Sequence, residues 1–129
     1  MARTVMIVDD IKYVRDLLKK ILMEAHYQVV AEAENGQDAY LKYFQFRPNL
    51  VTMDLVMPEM SGIEAIRKII KKDKEAKIVI VSAMEQENFV MDAINAGARD
   101  YILKPFRAND ILKTFDHIML DKTVEKATS

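Results

Sequence analysis

Five short apolar runs rich in β-branched residues alternate along this chain with five stripes of helical period, and that alternation restricts the fold more than any other feature. The runs fall at residues 5–8, 27–31, 50–53, 78–81 and 101–103. They are apolar at nearly every position rather than at every second one, which is how strands covered on both faces of a parallel sheet read. Between them, apolar residues recur at i, i+3, i+4 and i+7. The stripes are Val14, Leu17, Leu18, Ile21 and Leu22; Ala39, Tyr40, Tyr43 and Phe44; Ile63, Ile66, Ile69 and Ile70; Phe89, Val90, Ala93 and Ile94; and Ile111, Leu112, Phe115, Ile118 and Met119. Asn35-Gly36 punctuates before the second helix, Ser61 can cap the third, Gly97 can end the fourth, and Asn109 or Asp110 can open the fifth. Five βα units in succession, joined by right-handed crossovers, predict an α/β fold: a doubly wound, five-stranded parallel sheet flanked by five helices.

The 129 residues suffice for one domain and not for two. Residues 1–120 are read as that domain, and the polar, aperiodic residues 121–129 as a frayed tail or the stub of a linker. With no cysteine, disulfides, thiol nucleophiles and cysteine-held metals are excluded, which fits a reducing cytosol. A formal net charge of −1 steers the chain toward neither nucleic acid nor membrane. The first apolar run stops at two aspartates, short of a signal peptide, and nothing approaches the ~20 apolar residues of a spanning helix. The expectation is a soluble, cytoplasmic protein with no nucleic-acid or membrane partner.

In sheets of this kind, sites form beyond the carboxyl ends of the strands. Asp9-Asp10 follow the first strand, Asp54 the third, Ser82 ends the fourth, and Lys104-Pro105 follow the fifth. Three carboxylates, a hydroxyl and an ammonium therefore converge on one edge. Crowded carboxylates repel, and a hard cation with oxygen ligands relieves the repulsion. Mg²⁺ suits a site with few carboxylates, because it retains waters and commonly bridges to phosphate. One carboxylate can then act as a nucleophile toward phosphorus, as in aspartyl-phosphate chemistry, with Mg²⁺ and Lys104 offsetting charge on the transferring group. Singly, each residue has an ordinary explanation as a turn former, a cap or a strand-end hydrogen bonder. Jointly, structure alone gives no reason for three acids at one sheet edge. No Gly-rich phosphate loop follows the first strand, which argues against a nucleotide-type site.

These residues carry a resemblance. Val-Asp-Asp at 8–10, the segment DLVMPEMSG at 54–62, Ser82-Ala83, Gly97-Ala98 and Lys104-Pro105-Phe106 stand in the order and spacing of the receiver domains of two-component response regulators, most closely the single-domain, CheY-like chemotaxis regulators. The likeness runs from about Val5 to Met119 and implies a flavodoxin-like fold. It implies Asp54 as phosphoacceptor, with Asp54, Lys104 and Ser82 as the residues of phosphoryl transfer. Asp10 and Asp54 would be direct Mg²⁺ ligands, Asp9 a ligand through water, and Val56 a ligand through its backbone carbonyl. Lys104 would contact a phosphoryl oxygen and its bond to Pro105 would be cis. Gly62 would serve the loop after the site. Ser82 and Tyr101 would form a switch pair, with Glu85, Gln86, Val90 and Tyr101 on an output face. The implied partners are a histidine kinase, a motor switch or other output protein, and a phosphatase. The implied state is a monomer, or a weak dimer when phosphorylated.

Three positions depart from the family pattern. Val56 and Met84, two residues beyond Asp54 and Ser82, flank the path of attacking water and cannot orient it by hydrogen bonding, so slow self-dephosphorylation is expected. His26 stands where a glycine often ends the first helix, and histidine tolerates left-handed geometry better than most residues. Ser82 replaces the commoner threonine with the same hydroxyl chemistry. Two alternatives remain open: a phosphorelay intermediate or regulatory module for another protein, and an aspartate-nucleophile phosphatase. The second normally has an acid two residues after the nucleophile, where this chain has Val56. A flavodoxin-like electron carrier would need a hydroxyl-rich phosphate loop that is missing here.

Overall fold

The structure, a computed structural model, describes the backbone of residues 3–128 and the side chains of residues 3–119. Each apolar run becomes a strand and each stripe a helix: β1 (Arg3–Val8), α1 (Lys12–Glu24), β2 (Tyr27–Ala33), α2 (Gly36–Phe46), β3 (Leu50–Met53), α3 (Gly62–Lys72), β4 (Ile78–Ser82), α4 (Glu87–Ala96), β5 (Asp100–Leu103) and α5 (Ala108–Thr128). The strands form one parallel sheet in the order β2-β1-β3-β4-β5. This is the doubly wound, five-stranded sheet with five helices that the alternation predicts.

The continuous apolar character of the inner strands has its cause in two cores. Alternate residues of each strand point to opposite faces. Met6, Val8, Val51, Met53, Ile78 and Ile80 meet Ala39 and Tyr43 of α2, Ala65, Ile66 and Ile69 of α3, and Ala93 of α4. Val5, Ile7, Leu50, Val79 and Val81 meet Leu18 and Leu22 of α1 and Ile111, Phe115 and Ile118 of α5. Removing a buried methylene-rich side chain from either layer, such as Ile80 or Phe115, falls in the class of changes that cost about 2–5 kcal/mol.

Local signals set the boundaries. Ser61 Oγ accepts from the Glu64 amide at 3.3 Å, the cap expected for α3, and at the Asn35-Gly36 break Asn35 Oδ1 caps α2 by accepting from the Asp38 amide at 2.8 Å. Gly97 closes α4 at φ 122°, where a Cβ would come within 2.7 Å of Ile70. At the opening of α5 the Asp110 carboxylate accepts from the Arg107 amide. His26 takes the expected left-handed backbone, φ 69°, between α1 and β2. Arg47 and Glu59 share that region without a comparable sequence signal. One difference concerns the far end: α5 continues to Thr128, through the segment read as a tail. Lys, Glu and Ala there favour helix propagation without an apolar stripe to announce it. None of the described helices is long and apolar enough to cross a membrane.

Candidate functional site

Strand register assembles the site. Val8 of β1 lies opposite Met53 of β3, and Met53 opposite Ile80 of β4. The ladders run one residue past the strands: the Asp9 amide donates to Ala33 O at 3.1 Å, the Asp54 amide to Val8 O at 3.0 Å and the Lys104 amide to Ser82 O at 2.9 Å. Asp9, Asp54 and Lys104 are thereby fixed at the carboxyl rim of neighbouring strands. Their side chains turn to one another. Lys104 Nζ lies 2.7 Å from Asp9 Oδ2 and 3.4 Å from Asp54 Oδ2. One oxygen from each of Asp9, Asp10 and Asp54 falls within 4.8 Å of the others.

Burial gives this cluster its electrostatic character. Asp9 is 1% exposed and Asp54 6%, while Asp10 opens to solvent. Desolvation pushes the Asp54 carboxyl above its ordinary range, and the nearby Asp9 charge adds to the push. Lys104, the Val56 amide (3.4 Å from Oδ1) and the Ser82 hydroxyl pull the other way without cancelling it. Burial alone would lower the Lys104 ammonium, but its hydrogen bond to Asp9 and the Asp54 charge outweigh that and hold it raised. The arrangement is thus a buried carboxylate whose charge one ammonium under-compensates. A divalent cation with oxygen ligands fits it chemically, since it would complete the compensation.

The surrounding loops hold Asp54 closely. Gly62 begins α3 against the Asp54 carbonyl; a Cβ there would come within 2.1 Å of that oxygen, which backbone cannot yield. Gly36 donates to Met60 O at 3.0 Å, tying the start of α2 to the same loop. Lys104-Pro105 is cis. Ser82 Oγ accepts from the Met84 amide at 3.3 Å, and the Tyr101 hydroxyl donates to the Met84 carbonyl. Tyr101 stands half-buried against the core beside α3 and α4, with its hydroxyl pushed up mainly by burial. Val56 is 60% exposed at the rim, and Met84 is half-buried. Glu85 and Gln86 are exposed before α4, and Val90 is half-buried in its first turns.

Sequence reasoning missed Arg15. It is 7% exposed, and its Nη1 donates to the Asp9 carbonyl at 2.9 Å. Leu18 and Leu22 of the predicted stripe are the buried apolar residues of α1, and Arg15 joins them through its polar contacts, which the apolar period does not announce.

Comparison with known proteins agrees with the geometry. The model of the response regulator receiver domain matches residues 5–116. The chain belongs to that family. The receiver is similar to the chemotaxis protein CheY of Thermotoga maritima, at 46% identity over 92% of this chain and 98% of the relative. The CheY of Bacillus subtilis is 48% identical over 90% of this chain and 97% of its own length. Among solved structures, the receiver superposes on a complex of CheX with CheY, BeF3 and Mg²⁺ from Borrelia burgdorferi at a TM-score of 0.87 and 30% identity, covering 90% of this chain and 88% of that one.

Proposed function

We propose that this receiver is a chemotaxis response regulator, phosphorylated on Asp54 by a histidine kinase with Mg²⁺, whose output face then binds a flagellar motor switch protein. The observation that carries the reading is the convergence of Asp9, Asp10 and Asp54 on Lys104 at the strand ends. Likeness to CheY proteins along nearly their whole length supports the chemotaxis assignment. Asp10 and Asp54, with the Val56 carbonyl and Asp9 through water, would hold Mg²⁺. When bound, the ion supplies positive charge to the equatorial oxygens of the transferring phosphoryl group.

In this reading an Asp54 carboxylate oxygen attacks phosphorus and the new O–P bond forms as the N–P bond of a phosphohistidine breaks; the electron pair stays on the ring nitrogen, and a proton taken up from solvent lets the imidazole leave neutral. Lys104 turns from Asp54 to a phosphoryl oxygen while remaining anchored on Asp9. The phosphoryl group brings close to two negative charges and strong acceptors. Ser82, whose oxygen accepts from the Met84 amide, gains an acceptor for its hydroxyl hydrogen; as it turns to donate, the Met84 segment that Tyr101 grips moves with it. The switch is a biased two-state equilibrium at α4 and β5. After treatment with acetyl phosphate and Mg²⁺, the protein should bind a purified motor switch protein at least about tenfold more tightly, a coupling typical of such switches. Val90→Glu and Tyr101→Ala should remove that gain; titration calorimetry showing unchanged binding would move the interface elsewhere.

The same site predicts a long-lived phosphorylated state. Val56 and Met84 offer attacking water no hydrogen bond. Val56→Asn combined with Met84→Glu should speed loss of the phosphoryl group by roughly tenfold or more, because positioned water reacts faster than diffusing water. Intact-mass decay curves after removal of acetyl phosphate, with MgCl₂ kept present, report this directly, and an unchanged half-life would refute it.

A further inference from the structure

We infer that Arg15 is a positioning residue of the acidic pocket, aiming the Asp10 carboxylate at the bound cation through the peptide plane that it shares with Asp9. The inference rests on the Mg²⁺-binding reading above and adds a residue that the reading does not use.

Asp10 is the exposed member of the acidic triad, and among the described residues its carboxylate has no hydrogen-bond or ion-pair partner. Its aim must come from its backbone. Two contacts set that backbone. The peptide between Asp9 and Asp10 is planar, so fixing its carbonyl oxygen fixes the amide side as well. Arg15 Nη1 holds that oxygen at 2.9 Å. The following peptide, between Asp10 and Ile11, is held by its amide, which donates to Asp9 Oδ1 at 2.9 Å. Both planes flanking Asp10 are thus pinned, one by a guanidinium and one by the carboxylate whose other oxygen faces Lys104.

Arg15 is itself held firmly enough to serve. Its Nε donates to Glu32 Oε1 at 3.1 Å and its Nη2 to Glu34 Oε1 at 3.4 Å. Lys19 grips the other Glu32 oxygen at 3.0 Å. Burial would raise the Glu32 carboxyl, but the hydrogen bonds from Lys19 and Arg15 outweigh it and keep it below its ordinary value, so it stays charged. The guanidinium is therefore a rigid three-way fork between the end of β2 and the loop after β1. A lysine ammonium has three donors too, but all radiate from one point, so it cannot take the separate places from which Nε, Nη1 and Nη2 reach both glutamates and the Asp9 carbonyl.

Charge alone makes the opposite prediction. Removing a cation near an acidic pocket should tighten Mg²⁺ binding. A positioning role makes the loss of Arg15 weaken it, because residues that orient metal ligands typically contribute about 10–100-fold to affinity. The test is a titration with MgCl₂ followed by the amide resonances of the folded protein, with urea unfolding run in parallel. Arg15→Met should weaken Mg²⁺ affinity by about tenfold or more. Arg15→Lys keeps the charge and the ion pairs, so the fold survives, and should still lose about three- to tenfold. Mg²⁺ affinity in Arg15→Lys equal to or tighter than in the unaltered protein would overturn the assignment and leave Arg15 as a fold residue. If the unaltered protein itself binds no Mg²⁺, the metal reading fails first, and this role with it.

Discussion

Asp54→Asn is expected to take up no phosphoryl group from acetyl phosphate and Mg²⁺, while the unaltered protein gains one, and to unfold at higher urea than the unaltered protein at pH 7 in chelator. The two halves share one cause. The Asp54 side chain that faces Lys104 is buried, and its carboxyl is raised above 3.8 chiefly by desolvation, with the Asp9 charge adding to it. A carboxyl raised in the folded state binds protons more readily there than in the unfolded chain. Stability therefore falls as pH rises from the unfolded value through the folded one, and above that window the ionised group opposes folding in full. Asparagine keeps the shape and an oxygen for the Val56 amide but carries no charge, so that opposition disappears together with the proposed nucleophile. As pH falls below the ordinary aspartate range the stability gap should close, since folded and unfolded chains then both hold the proton. Mg²⁺ should also narrow it at pH 7, by stabilising only the ionised form strongly. Intact mass and urea midpoints at two pH values measure both parts. Uptake of a phosphoryl group by the variant would move the acceptor elsewhere, and a lower midpoint would mean that the lost carboxylate had been stabilising.

Much of this site was legible in the sequence because a parallel α/β sheet converts linear order into spatial order. With the runs at 5–8, 50–53 and 78–81 in one parallel sheet, the residues after them must lie along one rim, as the ladders from Asp54 to Val8 and from Lys104 to Ser82 show. The cap at Ser61 and the break at Asn35-Gly36 were legible, and at both a side chain bonds an amide three residues ahead. What stayed hidden depends on distant contacts. Arg15 looked like one charge among the many of α1, since its burial follows from Glu32, Glu34 and the Asp9 carbonyl, which local period does not encode. The continuation of α5 was hidden for the opposite reason: its last turns carry no apolar stripe, and helix propensity is a weak signal by itself. The glycine at position 62 matched the family pattern, but only the structure shows that the Asp54 carbonyl occupies the space of its missing side chain.

Lys104→Met should cost about 3–5 kcal/mol of stability in chelator, the usual loss when one partner of a buried ion pair is removed and the other is left uncompensated. Here two carboxylates are left. Asp9 and Asp54 lie within 2.7 and 3.4 Å of Lys104 Nζ, and both are nearly inaccessible to water. Methionine fills the aliphatic volume, so lost packing contributes little and the change isolates the charge. The ammonium is held above 10.5 in the folded protein: burial opposes its charge, but the Asp9 hydrogen bond and the Asp54 charge prevail. Its stabilisation is therefore complete at any pH below about 10.5 and is lost only as pH rises through the folded value, so neutral solution shows the whole effect. Two responses separate this account from a general packing defect. Acidification should rescue the variant, because protonating Asp54 removes the repulsion that Lys104 had offset. Mg²⁺ should rescue it too, and by more than it stabilises the unaltered protein, because the cation takes over the compensation of the same carboxylates. Phosphorylation by acetyl phosphate should nonetheless stay slow by about 10²–10³-fold, since the ammonium aimed at the transferring oxygens is gone and Mg²⁺ cannot occupy both positions. Urea unfolding with and without MgCl₂ at neutral and acidic pH decides the matter. A stability loss indifferent to both Mg²⁺ and acid would show that Lys104 acts through packing and that Asp9 and Asp54 need no counter-charge.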